Sequence, residues 1–196
     1  MKMQKTYHSV IFDLDQTLVN TIPLMPYVEA IKKNPNGTPG NKMAWSQHDK
    51  HILDCCCLYD GMEEVFEYIR EKNINVGIVS NSVKKRIVSI AEAFYIPVSK
   101  DKMIGRFSVS RWRSITKPDR RIFDIALDVL DAKPKETISF GNCADDILVA
   151  HKVGVEAIAC LWGATQEEKE EMIKANPDHI LNHPIEIIPL LKLNII

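Results

Sequence analysis

Two carboxylates, Asp13 and Asp15, stand two residues apart in FDLDQTL, where the apolar, β-branched run of residues 9–13 (SVIFD) stops. Side chains at i and i+2 of a strand lie on the same side, so the spacing lets both acids face one pocket. Like charges that close raise the pKa of one group, leaving one ionised and the other able to hold a proton. That is a workable nucleophile and acid/base pair. The alternative, an N-cap followed by a turn aspartate, leaves the repulsion between the two acids uncompensated. Small polar residues end two other apolar runs: Ser80 and Asn81 follow NVGIV, and Asn142 follows TISFG at Gly141.

Positioning these residues requires strands whose tips lie together. The runs at 9–13, 75–80, 137–141 and 157–161 are short and continuously apolar, which suits strands buried on both faces of a parallel sheet. Between them apolar residues recur at helical spacing: Met62, Val65, Phe66 and Ile69 on one stretch, Ile122, Ile125, Ala126 and Val129 on another. Strand and helix in alternation predict an α/β fold, a doubly wound parallel sheet with right-handed crossovers. Ligands of such sheets bind outside the carboxyl ends of the strands, where the polar residues gather.

Residues 21–57 break the alternation. They hold two helical stretches, 24–33 and 43–57, joined by the turn-rich NPNGTPGN. This predicts a small helical cap inserted after the first strand, with residues 1–20 and 58–196 forming the core. A second irregular region, 99–116, contains a candidate strand at 104–109 and a basic loop.

Composition narrows the partners. The 196 residues carry 25 Lys and Arg against 26 Asp and Glu, a net charge of -1. That balance excludes a general polyanion binder and an acidic disordered chain, so no nucleic-acid partner is expected. No apolar run approaches the ~18 residues that span a bilayer, and the start MKMQKTYHSV lacks the apolar stretch of a secretory signal. A cytoplasmic location without a membrane partner is therefore expected. Five cysteines, three of them adjacent at 55–57, read as reduced thiols rather than a disulfide framework.

FDLDQTL resembles the first motif of the haloacid dehalogenase (HAD) superfamily, DxDx(T/V). SNS at 80–82, Lys117 in KPD and GNCADD at 141–146 resemble the second, third and fourth, in order, and the similarity runs over residues 8–188. KPDRRIF, DAKPKETISFGNCADDI, LWGA and DHIL are similar to the phosphoglycolate phosphatase-like branch. The resemblance implies a HAD-like Rossmannoid core and a phosphatase. Asp13 would form an aspartyl-phosphate with a small phosphorylated substrate, and Asp15 would protonate the leaving oxygen and then deprotonate water. Ser80 and Asn81 would hold phosphate oxygens, and Lys117 would neutralise charge. Asp13, the carbonyl of Asp15, Asn142 and Asp146 would face Mg²⁺, a cation suited to hard oxygen ligands. Ionised Asp13, a phosphate dianion and Asp146 with only Lys117 opposite would need such a cation. Asp15 also favours phosphoryl transfer over dehalogenation, because dehalogenases of the superfamily lack the second aspartate.

Two positions depart from the pattern. Asn142 replaces the usual Asp, a neutral ligand that predicts weaker metal binding, with Asp145 or Asp146 taking a larger share. Gln16 stands where glycine is frequent. Two alternatives accompany the phosphatase reading: a phosphomutase, which the small cap argues against, and a catalytically weak homologue acting as a phospho-ligand or protein-binding module. Other features read as structural. His48, His51 and Cys55 fall on one helix face without a fourth zinc ligand. Arg106, Arg111, Arg113, Arg120 and Arg121 surround Lys117 in sequence, as solvated loop charges or as an electrostatic approach for an anion. EEKEE at 167–171 reads as a solvated helix face, Trp112 as a stacking or packing residue, and Tyr27 and Trp45 as candidate cap contacts to substrate.

Overall fold

The computed structural model describes residues 7–108 and 113–192. All four apolar runs are strands of one parallel sheet: β1 (Ser9–Phe12), β4 (Asn75–Val79), β6 (Thr137–Gly141) and β7 (Glu156–Cys160). Short strands β5 (Met103–Ile104) and β8 (His179–Leu181) close its edges, giving the order β5-β4-β1-β6-β7-β8. The order runs outward in both directions from the β1–β6 pair, the topological switch point of a doubly wound sheet. The candidate strand at 104–109 is shorter than predicted and starts one residue earlier. Val109, Arg111 and Trp112 lie outside the described residues.

Alternation along β1 explains why its run is continuously apolar. Val10 and Phe12 point into one core layer and Ile11 into the other. The first layer is covered by α3 (Met62–Glu71), α4 (Lys84–Ala93) and α8 (Ile187–Lys192). The second is covered by α5 (Arg121–Val129), α6 (Ala144–Val153) and α7 (Gln166–Lys174). Phe12 stacks on Phe140 of the neighbouring strand with ring centroids 5.2 Å apart, so truncating either is expected to cost about 3–5 kcal/mol. Helix α3 buries the predicted set Met62, Val65, Phe66 and Ile69. Helix α5 is rotated from the prediction: Ile122, Phe123, Ala126, Leu127 and Leu130 are buried while Val129 is exposed. Phe123 and Leu127, the larger pair, take the inward face.

After β1 the chain forms β2 (Val19–Asn20), leaves through α1 (Met25–Lys33) and α2 (Pro39–Cys55), and returns in β3 (Cys57–Leu58), which pairs antiparallel with β2. This two-stranded ladder closes the neck of the excursion. Helix α2 begins four residues before the predicted start. Thr38 caps it, its Oγ1 accepting from the Asn41 amide at 3.2 Å, and Pro39 sits in the first turn, where a missing N–H costs nothing. The two helices pack on each other, and α2 also packs on α4. Leu24, Ile52 and Cys56 join the first core layer, so the excursion is anchored to the sheet's own core. Among the described residues no helix is long and apolar enough to cross a membrane.

Candidate active site

Strand β1 ends at Phe12, and the Asp13 amide still donates to the Phe140 carbonyl of β6 at 2.9 Å. That bond seats the Asp13 side chain over the switch point, 8% exposed. The loop before α5 brings Lys117 to the same place. Its Nζ lies 2.6 Å from Asp13 Oδ1, 2.5 Å from Asp146 Oδ1 and 3.1 Å from the Val79 carbonyl. Its backbone amide donates to Asn81 Oδ1 at 2.8 Å, tying the loop to the tip of β4. Ser80 is buried beside it, and its Oγ accepts from the Ser82 amide at 3.1 Å.

Asp146 belongs to the first turn of α6, where Cys143 is the N-cap. Its Oδ2 accepts from the Cys143 amide at 3.2 Å and the Cys143 thiol at 3.0 Å, leaving Oδ1 for Lys117. Gly141 makes this approach possible, because a Cβ there would overlap the Asp146 carboxylate. Asn142 is buried with its Oδ1 accepting from the Thr17 hydroxyl at 3.1 Å. The same hydroxyl lies 3.4 Å from Asp13 Oδ2. Asp145, by contrast, is partly exposed.

The electrostatics follow from burial. Desolvation pushes the Asp13 carboxyl up, Lys117 pulls it down, and Asp146 and then Asp15 push it up again, to about 7 from its ordinary 3.8. Burial works against the charge of Lys117, but Asp13 and Asp146 outweigh it and hold the ammonium well above its usual range. One cation therefore sits between two buried carboxylates. The donor set left for a further cation is Asp13, Asp146 and the Asn142 amide oxygen, all hard oxygens. Among the described residues no three His, Cys, Asp or Glu side chains gather as a metal site. Two carboxylates and an amide suit Mg²⁺, which keeps waters and takes few protein ligands, better than Zn²⁺.

Asp15 does not share the environment of Asp13. Regular strand geometry has ended at Phe12, and Gln16 adopts φ +62°, so the i, i+2 rule no longer governs the second carboxylate. Its oxygens lie 2.7 and 2.8 Å from Arg86 Nη1, and one also accepts from Thr21 Oγ1 at 2.5 Å. Burial and Asp146, ahead of Asp15, press on Asp13. That positive φ lies in the backbone region that favours glycine, the residue the resemblance leads us to expect at position 16. Arg86, Thr17 and Thr21 escape sequence reasoning. Thr17 at least carries a signal, being the last residue of DLDQT, whereas Arg86 is one of three consecutive basic residues.

A cleft lies between α1 and the strand tips, against Asp15 and Asn81. A cavity of about 490 Å³ reaches Asp15 and Asn81, and an adjoining one of about 410 Å³ reaches Trp45 and Phe107. They share Val28, Lys32, Ser82, Arg86 and Arg106. Arg106, of the basic cluster, thus faces the cleft, whereas Arg120 and Arg121 pair with Asp124 and Asp119 on the surface. Tyr27 stacks on His51 with centroids 4.6 Å apart. His48, His51 and Cys55 do not converge: His48 bonds Asp49 and Arg86, while His51 and Cys55 bond backbone carbonyls.

The family model for haloacid dehalogenase-like hydrolases matches residues 30–160, two thirds of the chain. The chain belongs to that family. Asp13 and Asp15 lie ahead of the matched residues, and Ser80, Asn81, Lys117, Asn142 and Asp146 within them. The hydrolase is 21% identical to a protein named pyrophosphatase PpaX from Bacillus mycoides, over 94% of this chain and 96% of that one. A predicted phosphoglycolate phosphatase from Haemophilus somnus shares its fold with a TM-score of 0.76 at 20% identity, over 97% and 99% of the two chains. CbbY from Rhodobacter sphaeroides, solved in complex with phosphate, follows at 0.73 and 15%, over 93% and 96%.

Proposed function

We propose that this hydrolase is a Mg²⁺-dependent phosphatase that cleaves a phosphate monoester of a small metabolite through an aspartyl-phosphate on Asp13. The observation that carries the reading is Lys117 bridging Asp13 and Asp146 at the switch point, next to Ser80 and Asn81. Asp13 attacks phosphorus, the bond to the leaving oxygen breaks, and Asp15 delivers a proton to that oxygen. Asp15 then takes a proton from water, whose oxygen attacks phosphorus and releases Asp13 and inorganic phosphate. Lys117 holds the attacking carboxylate and offsets charge on the transferring group. Ser80 and Asn81 grip its oxygens. Asp13, Asp146, Asn142 and the Asp15 carbonyl would hold Mg²⁺, which would supply the positive charge that lets Asp13 act ionised and offsets the crowded oxyanions. In this reading helices α1 and α2 are the cap that limits access to the cleft.

The test is hydrolysis of p-nitrophenyl phosphate with and without Mg²⁺, in the wild type and in Asp13→Asn. Metal-dependent turnover abolished by the substitution is expected. Absence of turnover, with tight binding of phosphorylated ligands, would establish a binding module instead. The relatives named pyrophosphatase and phosphoglycolate phosphatase place pyrophosphate and phosphoglycolate on the substrate panel.

A further inference from the structure

Arg86 on α4 is 5% exposed and His48 on α2 is wholly buried. The guanidinium Nε donates to His48 Nε2 at 3.2 Å, while Nη1 reaches both Asp15 oxygens and, at 3.3 Å, Ser82 Oγ. Arginine has no acceptor, so His48 Nε2 must be the unprotonated nitrogen, and Nδ1–H then donates to Asp49 Oδ1 at 3.0 Å. A continuous chain, Asp49–His48–Arg86–Asp15, thus runs from α2 across α4 to the first strand's loop. Burying a guanidinium against one carboxylate and a neutral imidazole is a weak way to gain stability, whereas a planar fork with fixed partners is a good way to hold a carboxylate in one orientation.

We propose that Arg86 is a positioning residue for the acid/base Asp15, and that His48 sets the angle of its guanidinium, so that the seating of α2 on α4 governs how Asp15 meets the leaving oxygen. This rests on the phosphatase reading above. It makes α2 part of the proton-transfer apparatus, rather than a wall of the cleft alone. Asp13 and Lys117 take no part in the chain, so chemistry at phosphorus and proton delivery are supported separately.

The test exploits leaving-group chemistry. p-Nitrophenolate departs with little help from an acid, whereas an alkoxide needs a proton. The values of kcat and KM are measured with Mg²⁺ on p-nitrophenyl phosphate and on glycerol 3-phosphate, for Asp15→Asn, Arg86→Met, Arg86→Lys, His48→Leu and His48→Gln. Arg86→Met is expected to lose at least about tenfold more kcat on glycerol 3-phosphate than on p-nitrophenyl phosphate, in the same sense as Asp15→Asn, with KM little changed. Arg86→Lys should recover part of that difference. His48→Leu should show a smaller selective loss that His48→Gln, whose amide oxygen can accept from Arg86, restores. The His48 pair decides the matter if Arg86→Met fails to fold. Equal losses on both substrates, a change in KM alone, or a gain in kcat would overturn the proposal. Selective loss in Asp15→Asn without it in the Arg86 and His48 variants would overturn this inference and leave the phosphatase reading standing. Wild-type protein without Mg²⁺-dependent turnover, or Asp15→Asn without selectivity, would remove both.

Discussion

Replacing Lys117 with methionine keeps the aliphatic stem and removes the charge that bridges two buried carboxylates. Lys117 is 4% exposed, and its ammonium lies within 2.6 Å of Asp13 and 2.5 Å of Asp146, themselves 8% and 3% exposed. Breaking a buried ion pair from one side leaves uncompensated charge and costs about 3–5 kcal/mol. At about 2–4 °C per kcal/mol for a chain of this size, the melting temperature should fall by roughly 6–20 °C at pH 8. The loss should shrink towards pH 5. Asp13 already has its carboxyl pushed up to about 7 with Lys117 present, and a neutral Asp13 no longer needs a cation. Folded protein then binds a proton that unfolded chain, with an ordinary carboxylate, releases near 3.8, so stability is lost as pH rises through the folded value. Mg²⁺ should recover more of the melting temperature in the variant than in the wild type, because it replaces the missing charge. Thermal unfolding followed by circular dichroism at pH 5 and pH 8, with and without Mg²⁺, measures all of this. A fall under about 3 °C at pH 8, or the same fall at both pH values, would refute the bridging role of Lys117.

Asp13→Asn removes the buried acid while keeping its shape, so its melting temperature relative to the wild type should climb from pH 5 to pH 8 in metal-free buffer; a flat difference contradicts the raised carboxyl. Asn142→Asp converts a neutral donor that shares the Thr17 hydroxyl with Asp13 into a charged one. Calorimetric titration should show Mg²⁺ affinity rising by about tenfold or more, with lower stability in its absence. Gly141→Ala places a methyl group where the Asp146 carboxylate packs. It should cost about 1–3 kcal/mol in urea unfolding and largely abolish the stabilisation that Mg²⁺ confers on the wild type.

The strand exits were legible because they depend on local patterns. Runs buried on both faces must be continuously apolar and must stop where the chain meets solvent, so SVIF, NVGIV and TISFG announced Asp13, Ser80 and Asn142 without help from the rest of the chain. Parallel strands joined by helices leave their carboxyl ends together, so even the gathering of those residues followed from element order. Local patterning did not give the reach of long side chains: only the resemblance of KPD to a known motif set Lys117 opposite Asp13 and Asp146, and nothing in the sequence set Arg86 against Asp15. Lys117 meets Asp13 across 104 positions and Arg86 meets Asp15 across 71, and four rotatable bonds leave each free to point elsewhere until packing selects one direction. The partnership of Asp15 was also undecidable from spacing, since the alternation rule lapses where β1 ends and Gln16 turns to positive φ. The sequence by itself therefore determined which acids, hydroxyls and amides stand at the mouth of the sheet. Only tertiary packing decided that Asp15 faces Arg86, because that contact joins elements that local periodicity cannot orient towards one another.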